Sequence, residues 1–133
     1  HQHELQYDDL DDVVAAPGAL ALLAVVEDRG VPWAVVTSAD RRLAAARLGA
    51  AGIAPLVLVT VEDVSAGKPD PEGYLAAARL VGADPTRCVV VEDAAVGVEA
   101  GRRSGAITVG IGVHDADVVV ADLVELAEMI RGS

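Results

Sequence analysis

Short runs of apolar residues, with no polar residue on either face, alternate along this chain with helical segments of about ten residues, and few folds accommodate that pattern. A strand with one face in water alternates apolar and polar side chains, whereas a strand apolar on both faces must be covered from both sides. Strands of that kind separated by helices are βαβ units, so the expected fold is α/β, a three-layer Rossmann-like parallel sheet between helices. The strands expected are Pro32–Thr37, Leu56–Val61, Cys88–Val91, Ile107–Ile111 and a short Val118–Val120. The first helix follows Pro17, with Ala19, Leu22, Leu23 and Val26 at helical spacing and Gly30 as its stop. Asp40 is an N-cap for Arg41–Leu48, which Gly49 and Gly52 should close. Further helices are expected at Glu72–Val81, closed by Gly82, at Ala95–Arg103 and at Asp122–Arg131. Gly97 and Gly101 inside the second of these predict close packing of that helix.

The chain has 133 residues, which suits one domain with one core. With 21 acidic against 10 basic residues the formal charge is −11, and no basic cluster exceeds a pair, which argues against nucleic acid and anionic membranes as partners. No apolar run approaches a membrane span of ~20 residues. One cysteine, Cys88, excludes a disulfide framework and a cysteine-based zinc site. The expectation is a soluble cytoplasmic protein. His1–Asp12 is polar and acidic, five of twelve residues being Asp or Glu, so residues 1–15 read as a tail and residues 16–133 as the domain.

In an open parallel sheet, ligands bind beyond the carboxyl ends of the strands. The first strand ends in Thr37 and Ser38, the loop after the second holds Gly67, Lys68 and Pro69, and the third ends in Glu92 and Asp93. A hydroxyl, a cation and an acidic pair on one edge can donate to a phosphate and hold a hard metal ion. Lys68 is the sole lysine among the ten basic residues. A lysine is a compact three-donor charge suited to a phosphoryl oxygen. Two adjacent carboxylates at a strand mouth repel one another, and Mg²⁺, which takes carboxylate oxygens and keeps waters, would relieve this. The bland alternatives are a helix cap for Thr37–Asp40, a solvated loop lysine for Lys68, and a helix start for Glu92–Asp93.

Other motifs carry less. Gly67–Lys68 is not a P-loop, because Pro69 replaces the hydroxyl residue and Glu62 stands where the first glycine belongs. Gly110–Ile111–Gly112 lacks the third glycine of a dinucleotide site. Cys88 is expected to be a buried small hydrophobe and His114 a surface residue, and His1 and His3 read as a frayed end or expression scar.

The order hydroxyl, lysine, acidic pair resembles the haloacid dehalogenase superfamily of phosphohydrolases, in particular its capped branch of sugar phosphatases, glycerol-phosphate phosphatases and β-phosphoglucomutase. Val35-Val36-Thr37-Ser38-Ala39 is similar to the second motif of that family, Ser65–Tyr74 to the third and Val89–Gly101 to the fourth. The resemblance implies that Ser38 and the Ala39 N–H bind the phosphoryl group with support from Thr37. It implies that Lys68 holds phosphate and nucleophile together, that Asp93 ligates Mg²⁺, and that Glu92 does so directly or through a bound water. The reaction implied is hydrolysis of small phosphorylated sugars or polyols through a phospho-aspartate. The first motif of the family, an Asp-x-Asp after an apolar strand, has only Asp9-Leu10-Asp11 as a candidate here, and no apolar strand precedes it. Residues 1–15 then read as the end of a cap segment, and the core lacks its central first strand and most of the cap. The resemblance places that strand between those ending in Thr37 and Glu92, so the sheet should be broken there. The chain is then expected to be inactive alone, its missing part being cleaved off, disordered or supplied by another chain. Alternatives are a non-catalytic phosphate- or partner-binding remnant of the same fold and a β-phosphoglucomutase-like phosphotransferase. A phospho-acceptor receiver domain has the same elements but places its acids before the hydroxyl and lysine, opposite to the order here.

Overall fold

A computed structural model describes residues 16–133. In chain order its elements are α1 (Ala19–Asp28), β1 (Val35–Val36), α2 (Arg41–Ala51), β2 (Leu58–Val59), α3 (Glu72–Val81), β3 (Val89–Glu92), α4 (Ala95–Ser104), β4 (Ile107–Ile111), β5 (Val118–Val120) and α5 (Leu123–Arg131), with single 3-10 turns at Val61–Asp63 and Pro85–Arg87. Every strand pairing is parallel, as two-sided burial requires. The helix ends follow local chemistry. Asp40 and Asp122 accept from the Leu43 and Glu125 amides and so cap α2 and α5. Gly52, Gly82 and Gly105 end α2, α3 and α4 in the left-handed region.

Three local expectations need correction. The helix after Pro17 starts at Ala19, behind Gly18 at φ 95. Gly49 does not close α2; the helix runs through it to Ala51, and Gly52, at φ 74, supplies the stop. Only Gly52 takes the left-handed conformation that a C-terminal cap uses. Cys88 is half-buried rather than buried, with its thiol directed at the Asp84 carbonyl at 3.4 Å.

The strands form two separate sheets among the described residues, β1-β2 and β3-β4-β5. The break falls between the strands ending in Thr37 and Glu92, where it was expected. Pairing in the first sheet is confined to Val35 with Leu58 and Val36 with Val59, well short of the runs Pro32–Thr37 and Leu56–Val61. A strand with a neighbour on one side only has half the ladder to hold its ends, which accounts for the shortening. On the other side of the break Val89 is 56% exposed, and Val35, Val36 and Val91 are only half-buried. These are apolar residues of strands that belong inside a covered sheet. Between the two edges lies a cavity of about 880 Å³, lined among others by Val35, Val36, Val91 and Leu126, with Ser38, Lys68, Tyr74 and Glu92 also on its wall. One five-residue strand, at ~3.3 Å per residue, ~4.8 Å between strands and ~10 Å between layers, occupies roughly 800 Å³. The break is therefore a strand-sized slot.

The core beside the slot joins α1, α2, α5 and the second sheet through Ala19, Leu48, Ile53, Val109, Val120, Leu123 and Leu126. On the other face α4 lies directly on β3 and β4. A Cβ at Gly101 would come within 2.9 Å of Val90 Cγ1 and of Thr108 Cγ2, so only glycine allows this approach, as the helix glycines predicted. No helix among the described residues is long and apolar enough to cross a membrane.

Candidate active site

Lys68 stands at the carboxyl ends of β1 and β3. Its ammonium lies 2.5 Å from Glu92 Oε2 and 3.3 Å from the Val36 carbonyl, so one side chain ties the ends of two strands that do not pair. The Lys68 and Glu92 side chains are 13% and 11% exposed, so water screens this ion pair little. The loop that presents Lys68 is clamped from α3. The Glu72 carboxylate accepts from the Ser65 and Ala66 amides at 2.9 and 3.1 Å, and Asp70 Oδ1 accepts from the Glu72 amide at 2.9 Å. Helix α3 in turn sits tightly on β1, because a Cβ at Gly73 would lie 2.9 Å from Val36 Cγ1. The Lys68–Pro69 peptide bond is cis.

Glu92 is enclosed. The Tyr74 hydroxyl donates to the same Oε2 that Lys68 approaches. On the opposite side, Gly97 of α4 leaves the room the carboxylate needs, since a Cβ there would sit 2.1 Å from Glu92 Cδ and 2.2 Å from Oε1. Burial, then the negative charges of Glu92 and Asp93, hold the Tyr74 hydroxyl well above the ordinary tyrosine range, so it is a protonated donor at neutral pH. The Lys68 ammonium also lies 5.2 Å from the centroid of the Tyr74 ring, within cation–π range.

At the end of β1, Thr37 is buried and its Oγ1 accepts from the Ala39 amide at 2.9 Å. The backbone donor expected to face a phosphoryl group is thus engaged by its own neighbour, a local turn that hydroxyl residues commonly make. Ser38 is half-buried and faces the slot. Asp93 follows Glu92 at the entrance to α4, with Oδ1 buried. The structure brings Ser38, Lys68 and Glu92 to one cavity wall, with Asp93 next in sequence, while Thr37 and Ala39 brace the end of β1. His114 is exposed, and His1, His3 and Asp9-Leu10-Asp11 lie outside the described residues.

The local charge bears on what can bind. Two carboxylates against one ammonium leave the mouth of the slot net negative, so a dianionic phosphate enters only with a further cation. Carboxylate oxygens are the donors that Mg²⁺ prefers. The residues present fit that ion in kind but do not complete its shell, since no group of three His, Cys, Asp or Glu among the described residues could hold a metal.

Three contributors were not assigned to the site from sequence: Tyr74, Glu72 and Gly97, the last read only as a close-packing helix glycine. Their offsets carried a trace of it, Glu72 and Tyr74 lying four and six positions after Lys68 and Gly97 five after Glu92. Only the folded positions reveal what they touch.

Residues 3–105 match the family model of haloacid dehalogenase-like hydrolases. The chain is 40% identical over 126 residues to hexitol phosphatase A of Escherichia coli, covering 89% of this chain and 58% of that protein. It is also 40% identical over 127 residues to the validoxylamine A 7'-phosphate phosphatase of Streptomyces hygroscopicus subsp. limoneus, covering 89% and 60%. Among solved structures, a hydrolase from Pseudomonas syringae superposes with a TM-score of 0.80 at 33% identity, over 87% of this chain and 61% of that one. The chain thus spans about 60% of the length of these relatives.

Proposed function

The chain belongs to the haloacid dehalogenase-like hydrolases, and from that membership and the geometry around Lys68 we propose that the whole protein is a Mg²⁺-dependent phosphatase of small phosphorylated sugars or polyols. The observation that carries this reading is Lys68, a shielded ammonium clamped between Val36 and Glu92 at the mouth of the slot. An ammonium has three donors. Among the described residues Glu92 and Val36 take two, and the third remains for a phosphoryl oxygen.

In this account Ser38 donates its hydroxyl to a second phosphoryl oxygen, and Thr37 with the Ala39 backbone sets the direction of Ser38. Lys68 neutralises charge that builds up on the phosphoryl group, and its low exposure makes that charge effective. Asp93 supplies one oxygen to Mg²⁺, with Glu92 acting directly or through water. The ion supplies the positive charge that lets a phosphate dianion approach two carboxylates. The remaining oxygen ligands and the attacking aspartate belong to a segment outside residues 16–133, whose strand fills the slot between β1 and β3. Whether that segment is joined to this chain or supplied by another one, the 133 residues alone are inactive in this account.

The names of the two curated relatives, a hexitol phosphatase and a validoxylamine 7'-phosphate phosphatase, support polyol and sugar-like phosphates as substrates. The test is release of inorganic phosphate by the whole protein from hexitol phosphates and validoxylamine A 7'-phosphate. Release that needs Mg²⁺ and stops on chelation is expected. Failure on every phosphomonoester tried, or release undiminished by chelator, would sink the reading.

A further inference from the structure

Tyr74 approaches the Lys68–Glu92 pair with both halves of its side chain. Its hydroxyl donates to Glu92 Oε2, and its ring lies 5.2 Å from the Lys68 ammonium. We propose that Tyr74 is a positioning residue that holds Glu92 and Lys68 in the arrangement leaving one ammonium donor turned to the cavity. The inference rests on the phosphatase reading above and deepens it.

A carboxylate bound by a single lysine can rotate about its side-chain bonds and carry the ammonium with it, because a lysine stem has four rotatable bonds. A second donor on the same oxygen removes that freedom. Charge-assisted hydrogen bonds are short, directional and about twice as strong as neutral ones, so this donor is well suited to the task. Tyr74 is itself fixed, since it lies on α3 between the Glu72 clamp on the lysine loop and the close packing of Gly73 on Val36. The whole assembly then turns as one body, and Lys68 cannot drift from the end of β1. A tyrosine that only filled space would be replaceable by phenylalanine without consequence. The two contacts of Tyr74 predict otherwise, because phenylalanine keeps the ring and loses only the bond to Glu92.

The experiment compares Tyr74→Phe, Tyr74→Leu and Glu92→Gln, singly and with Tyr74→Phe combined with Glu92→Gln, in the whole protein. Tyr74→Phe is expected to lower kcat about tenfold with KM within twofold, the size of one charge-assisted bond. Tyr74→Leu should lower it further, since the ring contact is lost too. In the Glu92→Gln background, Tyr74→Phe should cost no more than about threefold, because the amide oxygen still accepts from the hydroxyl but the charge assistance is gone. A Tyr74→Phe enzyme within twofold of wild type overturns the inference. So does an equal loss in both backgrounds, or a loss that disappears when the assay is cooled and the variant is fully folded. Wild-type protein without phosphatase activity overturns the functional reading itself and this inference with it, whereas the variant ratios address Tyr74 alone.

Discussion

Replacing Lys68 with methionine is expected to lower kcat by about 10²–10³ and to destabilise the fold in the same step. The catalytic loss follows from the role of the ammonium as the cationic donor held at the carboxyl ends of β1 and β3. The stability loss follows from Glu92, whose side chain is 11% exposed and would be left without its counter-ion. Breaking one partner of a buried pair typically costs about 3 kcal/mol or more, because the stranded charge has given up its water. For a domain of this size that lowers the thermal midpoint by roughly 10 °C. The two effects separate in the double variant. Lys68→Met with Glu92→Gln removes the stranded charge and keeps an acceptor for Tyr74, so most of the midpoint should return while kcat stays low. A double variant that regains activity together with stability contradicts a direct role for Lys68, and a single variant with unchanged melting contradicts the buried pair.

Gly97→Ala should cost about a hundredfold in kcat while α4 remains intact. Alanine is a better helix former than glycine by about 1 kcal/mol, so the helix gains from the change. The Cβ, however, would stand 2.1 Å from Glu92 Cδ, 2.2 Å from Oε1 and 2.6 Å from Cγ, and the carboxylate has to leave its position. Leaving means breaking the bonds from both Lys68 and Tyr74, since both end on Oε2. Kinetics on the purified variant, with circular dichroism to confirm the helix content, checks this. Glu92→Asp in the alanine background shortens the side chain by one carbon and should restore part of the rate. A Gly97→Ala enzyme within threefold of wild type would show that the carboxylate position is immaterial.

Much of this was legible in the sequence because burial and chemistry leave separate marks. Two-sided apolar runs gave the parallel α/β class, and the Asp40 cap and the Gly82 stop gave element ends. Residues at strand termini gave the candidate cluster, since Ser38, Lys68 and Glu92 line one cavity. The gap between the strands ending in Thr37 and Glu92 was legible through the family resemblance, as a strand that should be there and is not spelled out. What was not legible depends on directions in space. Gly49 and Gly52 are the same residue three positions apart, and only backbone conformation tells that the second is the stop. The lengths of β1 and β2 depend on a neighbour, and no property of Pro32–Thr37 announces that one side is open. The engagement of the Ala39 amide by Thr37, and the meeting of Tyr74, Gly97 and Glu92, arise from three elements closing on one carboxylate.

The slot joins the structural and chemical halves of the account. Its apolar walls ask for a strand, and its mouth holds a lysine, a hydroxyl and two acids with too few oxygens to surround a metal ion. On the proposed reading, one added segment running between β1 and β3 and ending beside Lys68 would meet both. The most direct measurement is therefore Mg²⁺-dependent phosphate release from a hexitol phosphate by the 133-residue chain alone and by the whole protein, each with and without Asp93→Asn. The account predicts release by the whole protein only, and its loss on Asp93→Asn. Comparable turnover by the 133-residue chain, or release that survives Asp93→Asn, would contradict it.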